Sequence, residues 1–209
     1  VKAWFNRAEA KYHDGDFAGA IADYDAVLAM KAEDVESWTG RGHAFFALEK
    51  YAEALADYQS VAQQLPSNRE CQINLGDAYQ ELGRWQDANQ AYENSLATEP
   101  TAVAYQRFAW FKATCPDAEF KDATTAAEMI EKAMKMSGQT PINLDTLAAA
   151  QAANGNFEMA KETQQRAIQL TAEKMPKNSV VHKDYQTRMA QYEERVPYQQ
   201  ANDRQAADQ

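Results

Sequence analysis

The stretch AWFNRAEAKYHDGDFAGAIADYDAVLAMKA, residues 3–32, decides the fold because it returns. A step of 34 residues takes Trp4 to Trp38, Ala8 to Gly42, Phe17 to Tyr51, Ala20 to Ala54, Tyr24 to Tyr58 and Val27 to Val61. A second step reaches Gln72, Gly76, Trp85, Ala88, Tyr92 and Ser95. Small residues thus recur once in each half of the unit, with aromatic residues around them. The small positions let two helices approach closely, and the aromatics fill the space between one helix pair and the next. Ala32 of the first unit corresponds to Pro66 and Pro100, where proline ends one unit and opens another.

Two further units follow with altered spacing. In YQRFAWFKATC, residues 105–115, Ala109 takes the small position one residue early. In DATTAAEMIEKAMKM, residues 122–136, Ala126, Ile130 and Ala133 take the later positions, shifted five residues late. The stretch NLDTLAAAQAANGNFEMAKETQQRAIQL is back in step. Its Ala148, Gly155, Phe157, Ala160, Ala167 and Ile168 lie 140 residues after Ala8, Gly15, Phe17, Ala20, Val27 and Leu28. The fourth unit therefore carries a lengthened turn centred on CPDAEFKD, with Pro116 stopping one helix and Asp122 capping the next.

The periodic unit resembles the tetratricopeptide repeat. The segments FAWFKATCPDAEFKD, LDTLAAAQAANGNF and YQTRMAQYEERVPY are similar to a version of it found in large bacterial multi-domain proteins. The resemblance implies an all-α fold, a right-handed α-solenoid of about five helix pairs with a C-terminal capping helix. One solenoid is expected over 1–197, with units at about 3–36, 37–70, 71–101, 102–140 and 141–174. The capping helix is placed at 179–195, where Val181, Tyr185, Met189 and Tyr192 are spaced for one face. The polar stretch 198–209 has no core pattern and is expected to fray.

Composition narrows the chemistry. Eight glycines and six prolines in 209 residues leave long stretches free for helix. A net charge of −10 repels nucleic acid and anionic lipid and favours basic partners. No apolar run approaches the roughly 20 residues a membrane span requires. Cys115 is placed at a helix end where the dipole disfavours a thiolate, with Asp117 and Glu119 following, so it reads as a structural residue. Cys71 has no Cys-x-x-Cys or histidine partner. His13, His43 and His182 are too far apart in sequence to suggest a metal set, and no cofactor is expected. No phosphate-binding glycine loop or nucleophile elbow occurs. Acid pairs such as Asp23 and Asp25, or Glu193 and Glu194, diverge by about 100° per residue on a helix and read as solvated faces. No catalytic residue is assigned.

The resemblance also implies where a ligand would lie, in a groove lined by the first helix of each unit. Phe5, Asn6 and Glu9 take those places in the first unit and Glu36 and His43 in the second. Glu70, Ile73, Asn74, Asp77 and Glu81 follow in the third, and Arg107 and Trp110 in the fourth. The best-known peptide-binding relatives grip a C-terminal carboxylate with lysine, arginine and asparagine. The matching places here hold Phe5, Glu9, Gly40, Glu70 and Asn74, two of them with the wrong charge, so no such clamp is expected. The acids favour Lys or Arg on a partner, Phe5, Ile73 and Trp110 offer apolar contact, and Asn6 and Asn74 suit an extended backbone. The reading is a non-catalytic protein–protein interaction module binding a protein or peptide. The alternatives are a structural solenoid that homo-oligomerises and, because the chain starts at Val1 directly in a helical pattern, a regulatory module of a larger enzyme chain.

Overall fold

The computed structural model describes residues 1–97, 100–176 and 179–200, and all the regular structure among them is helical. The chain divides into two compact units, Val1–Ser95 and Leu96–Gln209. The first holds α1 (Lys2–His13), α2 (Phe17–Met30), α3 (Val35–Ala47), α4 (Tyr51–Gln64), α5 (Arg69–Glu81) and α6 (Trp85–Ser95). The second holds α7 (Ala102–Thr114), α8 (Ala123–Ser137), α9 (Pro141–Ala153), α10 (Phe157–Lys174) and α11 (Val180–Glu193). In the first unit each odd-numbered helix packs antiparallel on the helix that follows it, and α2 and α4 pack on the start of the next pair. In the second, α7 pairs with α8 and α9 with α10, while α11 lies on α10. Each unit is thus a stretch of helix-pair solenoid.

The helices stop where the sequence stops them. Residues 14–16, 48–50, 82–84 and 154–156 form three-residue turns between the helices of a pair. In each, the last turn residue donates its N–H five residues back, as in Lys50 to the Phe45 carbonyl and Arg84 to the Tyr79 carbonyl, both at 2.9 Å. The middle residue must then be left-handed. Gly83 takes φ +69° without cost, whereas Glu49 takes +58° with a side chain in place. The next helix is begun by side-chain caps: Asp16, Asp34 and Asn68 accept the backbone N–H three residues on.

The small positions do what the period requires. A Cβ on Gly42 would fall 2.6 Å from the Tyr58 ring, and one on Gly76 would fall 2.6 Å from the ring of Tyr92. Ala8 is fully buried with Tyr24 in the same cluster. The tyrosine of each second helix therefore lies flat against the small residue of the first, and this contact sets the helix–helix spacing.

The lengthened turn is residues 115–122, eight residues against three in the other pairs. It folds back on its own helix, with Asp122 N–H donating to the Lys112 carbonyl at 2.9 Å. The Asp122 carboxylate caps α8 through the N–H groups of Thr124 and Thr125. Cys115 is enclosed at 1% exposure, more deeply than a loop position suggests, because the turn closes over it.

Two expectations are corrected. Asp23 is not on a solvated face: it is 2% exposed and accepts both Arg7 bonds at 2.7 Å, with Lys11 at 2.9 Å. These cations hold its pKa at about 2, the Arg7 bonds being the larger cause. The brace repeats one period later, where Asp57 receives Arg41 at 2.9 and 2.6 Å. The inward face of α11 is also turned from the one expected. Tyr185 and Tyr192 are buried as read, but Val181 is 40% exposed and His182 is buried in its place.

That rotation serves a buried ion pair in the second unit. Arg188 donates from Nε and Nη2 to the two oxygens of Asp145, at 2.8 and 2.9 Å, and Gln164 adds a bond of 2.8 Å to one of them. The guanidinium lies 5.2 Å from the centroids of Trp110 and Tyr185 and 5.3 Å from that of Tyr198. Fraying was expected from residue 198, yet Tyr198 packs on the cluster of Ala148, Ala152, Ala160 and Tyr192, and Gln200 N–H donates to the Thr114 carbonyl at 3.0 Å. The rest of that stretch, 201–209, lies outside the described residues.

Two stability tests follow from this packing. Gly76→Val should destabilise the first unit by about 1–3 kcal/mol, because the ring of Tyr92 must move to admit the side chain; a urea midpoint equal to that of wild type contradicts the contact. Arg188→Met alone should cost about 3–5 kcal/mol by stranding the buried Asp145 carboxylate, and adding Asp145→Leu should recover most of that loss. Equal losses in the single and double variants, read by helix circular dichroism in urea, would show that the charges are not coupled.

Candidate functional site

The face shared by α1, α3 and α5 belongs wholly to the first unit. Its geometry is set by the same tyrosines that space the helices. The Tyr24 hydroxyl reaches past Ala8 and donates to Glu9. Two units on, the Tyr92 hydroxyl donates to Asp77 at 2.7 Å. The intervening place is His43, whose ring lies 5.8 Å from Tyr58 and 6.4 Å from Tyr12. Positions 9, 43 and 77 are one period apart, and each meets the tyrosine of its own unit.

His43 is the centre of this face. Its Nε2 lies 3.0 Å from the side-chain nitrogen of Asn74 on α5. With the amide donating, the ring proton sits on Nδ1. Burial pushes the imidazole pKa below its ordinary value, and Glu70, the Asn74 bond, Glu9 and Asp77 pull the other way. Burial prevails, so the ring is neutral at pH 7 and does not offset the three carboxylates around it.

Phe5 packs edge-on to Tyr24, with ring centroids 6.0 Å apart, and remains half-buried. With Asn6, Val27 and Glu36 it lines a pocket of about 380 Å³. Glu70 is exposed, and Glu81 is half-buried at the end of α5. Ile73 does not offer the apolar contact expected of it: it is 7% exposed, turned into the packing rather than onto the face. Arg107 and Trp110 belong to α7 of the second unit, where they line a separate pocket of about 290 Å³ with Asp145, Tyr185 and Arg188. Trp110 is engaged there by Arg188 and by Tyr198, whose ring centroid lies 5.5 Å away.

The absence of a carboxylate clamp has a steric cause as well as a charge cause. Gly40 stands where that clamp needs asparagine, and any Cβ there would run into the ring of Tyr24. Neither thiol is activated. Cys71 donates from Sγ to the Tyr58 carbonyl at 3.3 Å and burial pushes its pKa up to about 11; burial also raises that of Cys115. Among the described residues no three His, Cys, Asp or Glu side chains are grouped to hold a metal ion, and no helix is long and apolar enough to cross a membrane.

Glu36, one period before Glu70, was among the groove acids read from the sequence, and it is exposed. The tyrosine bonds to Glu9 and Asp77 escaped that reading; the offset of fifteen residues from Glu9 to Tyr24 and from Asp77 to Tyr92 was the available signal.

Comparison with known proteins agrees with this architecture. A family model described as tetratricopeptide repeat matches residues 5–69, and a second of the same description matches 45–109. Together they take in residues 5–109, just over half of the 209. No curated protein matches by sequence. Among solved structures, the chain is similar to TTC0263, a thermophilic TPR protein in Thermus thermophilus, at 15% identity and a TM-score of 0.71, covering 91% of this chain and 97% of that one. It is similar to MamA at 20% identity and a TM-score of 0.64, covering 83% and 92%. It is also similar to YrrB, a TPR protein with an unusual peptide-binding site, at 16% identity and a TM-score of 0.59, covering 88% and 90%. At these identities the likeness is one of fold. The repeated small-residue and tyrosine contacts, the matched models and the shared fold lead to one conclusion: the chain belongs to the tetratricopeptide-repeat family.

Proposed function

We propose that this chain is a non-catalytic interaction module whose first unit holds an extended, basic segment of a protein partner on the face of α1, α3 and α5. Tetratricopeptide repeats serve generally as protein–protein interaction modules, which gives the class of activity. The observation that carries the finer reading is the set of carboxylates on this face held or flanked by neutral groups: Tyr24 donates to Glu9 and Tyr92 to Asp77, and Glu70 lines a pocket with Asn74, whose amide bonds His43. Glu9 lies on α1 and Glu70 and Asp77 on α5, with an Asn74 amide able to bond a peptide backbone. A lysine or arginine is the side chain this arrangement suits.

The rim carboxylates can be tested apart from the fold. Glu9 and Asp77 hold tyrosine hydroxyls, so they are poor choices for substitution. Glu36 and Glu70 are exposed and make no ion pair among the described residues. In fluorescence anisotropy, peptides rich in lysine and arginine should bind and peptides rich in aspartate should not. Affinity should fall steeply between about 0.05 M and about 0.5 M salt. Glu36→Lys with Glu70→Lys should weaken binding about tenfold or more, with the helix content unchanged. Equal binding of the two peptide classes, or full affinity in the double variant, would overturn the reading.

A further inference from the structure

Arg41 shows what joins one helix pair to the next. It gives Nε and Nη2 to Asp57 of its own pair, at 2.9 and 2.6 Å, and Nη1 to Asp25 of the preceding pair, at 2.5 Å. Arg7, one period earlier, repeats the first half of this arrangement. Its Nε and Nη2 go to Asp23, both at 2.7 Å, and among the described residues its Nη1 meets no acid. The Arg7 side chain is 54% exposed, against 22% for Arg41. Trp4 supports the guanidinium, its ring centroid 4.3 Å away. The neighbours of Arg7 agree. Ala3 and Ala10 lie beside it on one face of α1 and are exposed. Their counterparts Ser37 and Ala44 on α3, and Cys71 and Ala78 on α5, are buried. The second helix of the preceding pair is what buries them: Ala44 clusters with Ala20 and Tyr24 of α2, and Ala78 with Ala54 and Tyr58 of α4. α1 thus presents outward the surface that α3 and α5 bury against another helix. The outward face of α11 is different, since Lys183, Gln186 and Thr187 give it the polar surface of a cap.

We infer that this face of α1 docks a helix of a protein partner, in the place that α2 takes on α3, and that the docked helix carries a carboxylate opposite Arg7. This is a second surface, opposite in charge preference to the one proposed above and independent of it. The pattern required of the partner is read from α2: a small residue, an aromatic four places on and an acid directly after it, as in Ala20, Tyr24 and Asp25. The small residue and the aromatic pack on Ala10 as Ala20 and Tyr24 pack on Ala44. The acid takes the open edge of the guanidinium, whose planar fork suits a carboxylate. Asn6 stands where α3 has Gly40, and an asparagine there is compatible with the aromatic, because Tyr58 and Asn74, in the same relation, line one pocket. A second copy of this chain does not suit the face. Two α1 helices meeting there would set Arg7 against Arg7, and α2, whose sequence has the pattern, already uses that surface on α3.

The probe is a lactam-bridged helical peptide with the sequence of residues 17–30, carrying Asp23→Ala so that it cannot replace α2 beneath Arg7. Titrated into the full chain, it should shift the amides of Ala3, Arg7 and Ala10, and it should lose affinity about tenfold when it also carries Asp25→Lys. Ala10→Gln in the chain should weaken binding by a similar factor. Ala10 is exposed, so the helix content and urea midpoint of that variant should equal those of wild type. Equal affinity of the two peptides, unchanged affinity in the Ala10→Gln chain, or no shift of the α1 amides would overturn the inference. So would a chain that dimerises in sedimentation and becomes monomeric on Ala10→Gln, since the face would then belong to a second copy. The basic-segment reading is tested at Glu36 and Glu70 and stands or falls apart from these results.

Discussion

The contact of a tyrosine ring with a residue too small to keep it away is what the first unit depends on. Tyr24, Tyr58 and Tyr92 lie against Ala8, Gly42 and Gly76, and the missing side-chain volume fixes the distance between the helices of each pair. The same contact decides what reaches the other side. A tyrosine that lies flat across the first helix brings its hydroxyl out beyond it, so Tyr24 finds Glu9 and Tyr92 finds Asp77. The core and the face of α1, α3 and α5 are therefore not separate layers. A larger residue at Gly76 would move the ring of Tyr92 and, with it, the hydroxyl that orients Asp77.

The period of 34 made most of the fold legible, since each repeated residue type stands for a contact that every unit must make. The lengthened turn and the Asp122 cap were legible for a local reason, because the proline, the acid and the break in rhythm are all in one stretch. Asp23 was misread because a single helix was considered alone. On its own helix it is one acid beside another, and only across the pair does it meet Arg7 and Lys11. The signal was nevertheless present: Arg7 and Arg41, like Asp23 and Asp57, are one period apart, and the third unit replaces the brace with Leu75 and Ala91, both in an apolar cluster. Ile73 and Val181 failed for another cause. Which face of a helix is buried depends on its rotation against its neighbours, and apolar spacing along one helix leaves that rotation free by a residue or so.

The second unit shows how a groove position can be used up by the fold. Trp110 has the place of a ligand contact in the repeat, but Arg188 and Tyr198 already lie on it. Arg188 is there because Asp145 is buried beneath it, and a buried carboxylate requires a partner that satisfies both oxygens. Neither fact appears in the spacing of any one helix, since Asp145 and Arg188 are 43 residues apart and belong to different parts of the pattern. The pocket beside them carries Arg107 and Arg188 against Asp145 and Asp184, so its charges balance.

That balance sharpens the contrast with the first unit. There the groups at the centre of the face are uncharged. His43 is kept neutral by burial, Asn74 is an amide, and the tyrosine hydroxyls donate without carrying charge. A hydrogen bond from a neutral donor orients a carboxylate but leaves its field in place. Orientation without neutralisation is what the proposed binding of a basic segment requires, because such a segment would meet carboxylates that are already placed. Burial of His43 is essential to this, since an exposed imidazole among three acids would hold its proton more readily and cancel part of the charge it is surrounded by. The ring's position between Tyr12 and Tyr58 supplies that burial, and Tyr58 is held there by the absence of a side chain at Gly42. The charge of the face thus traces back to the small residue that the repeat places in every unit.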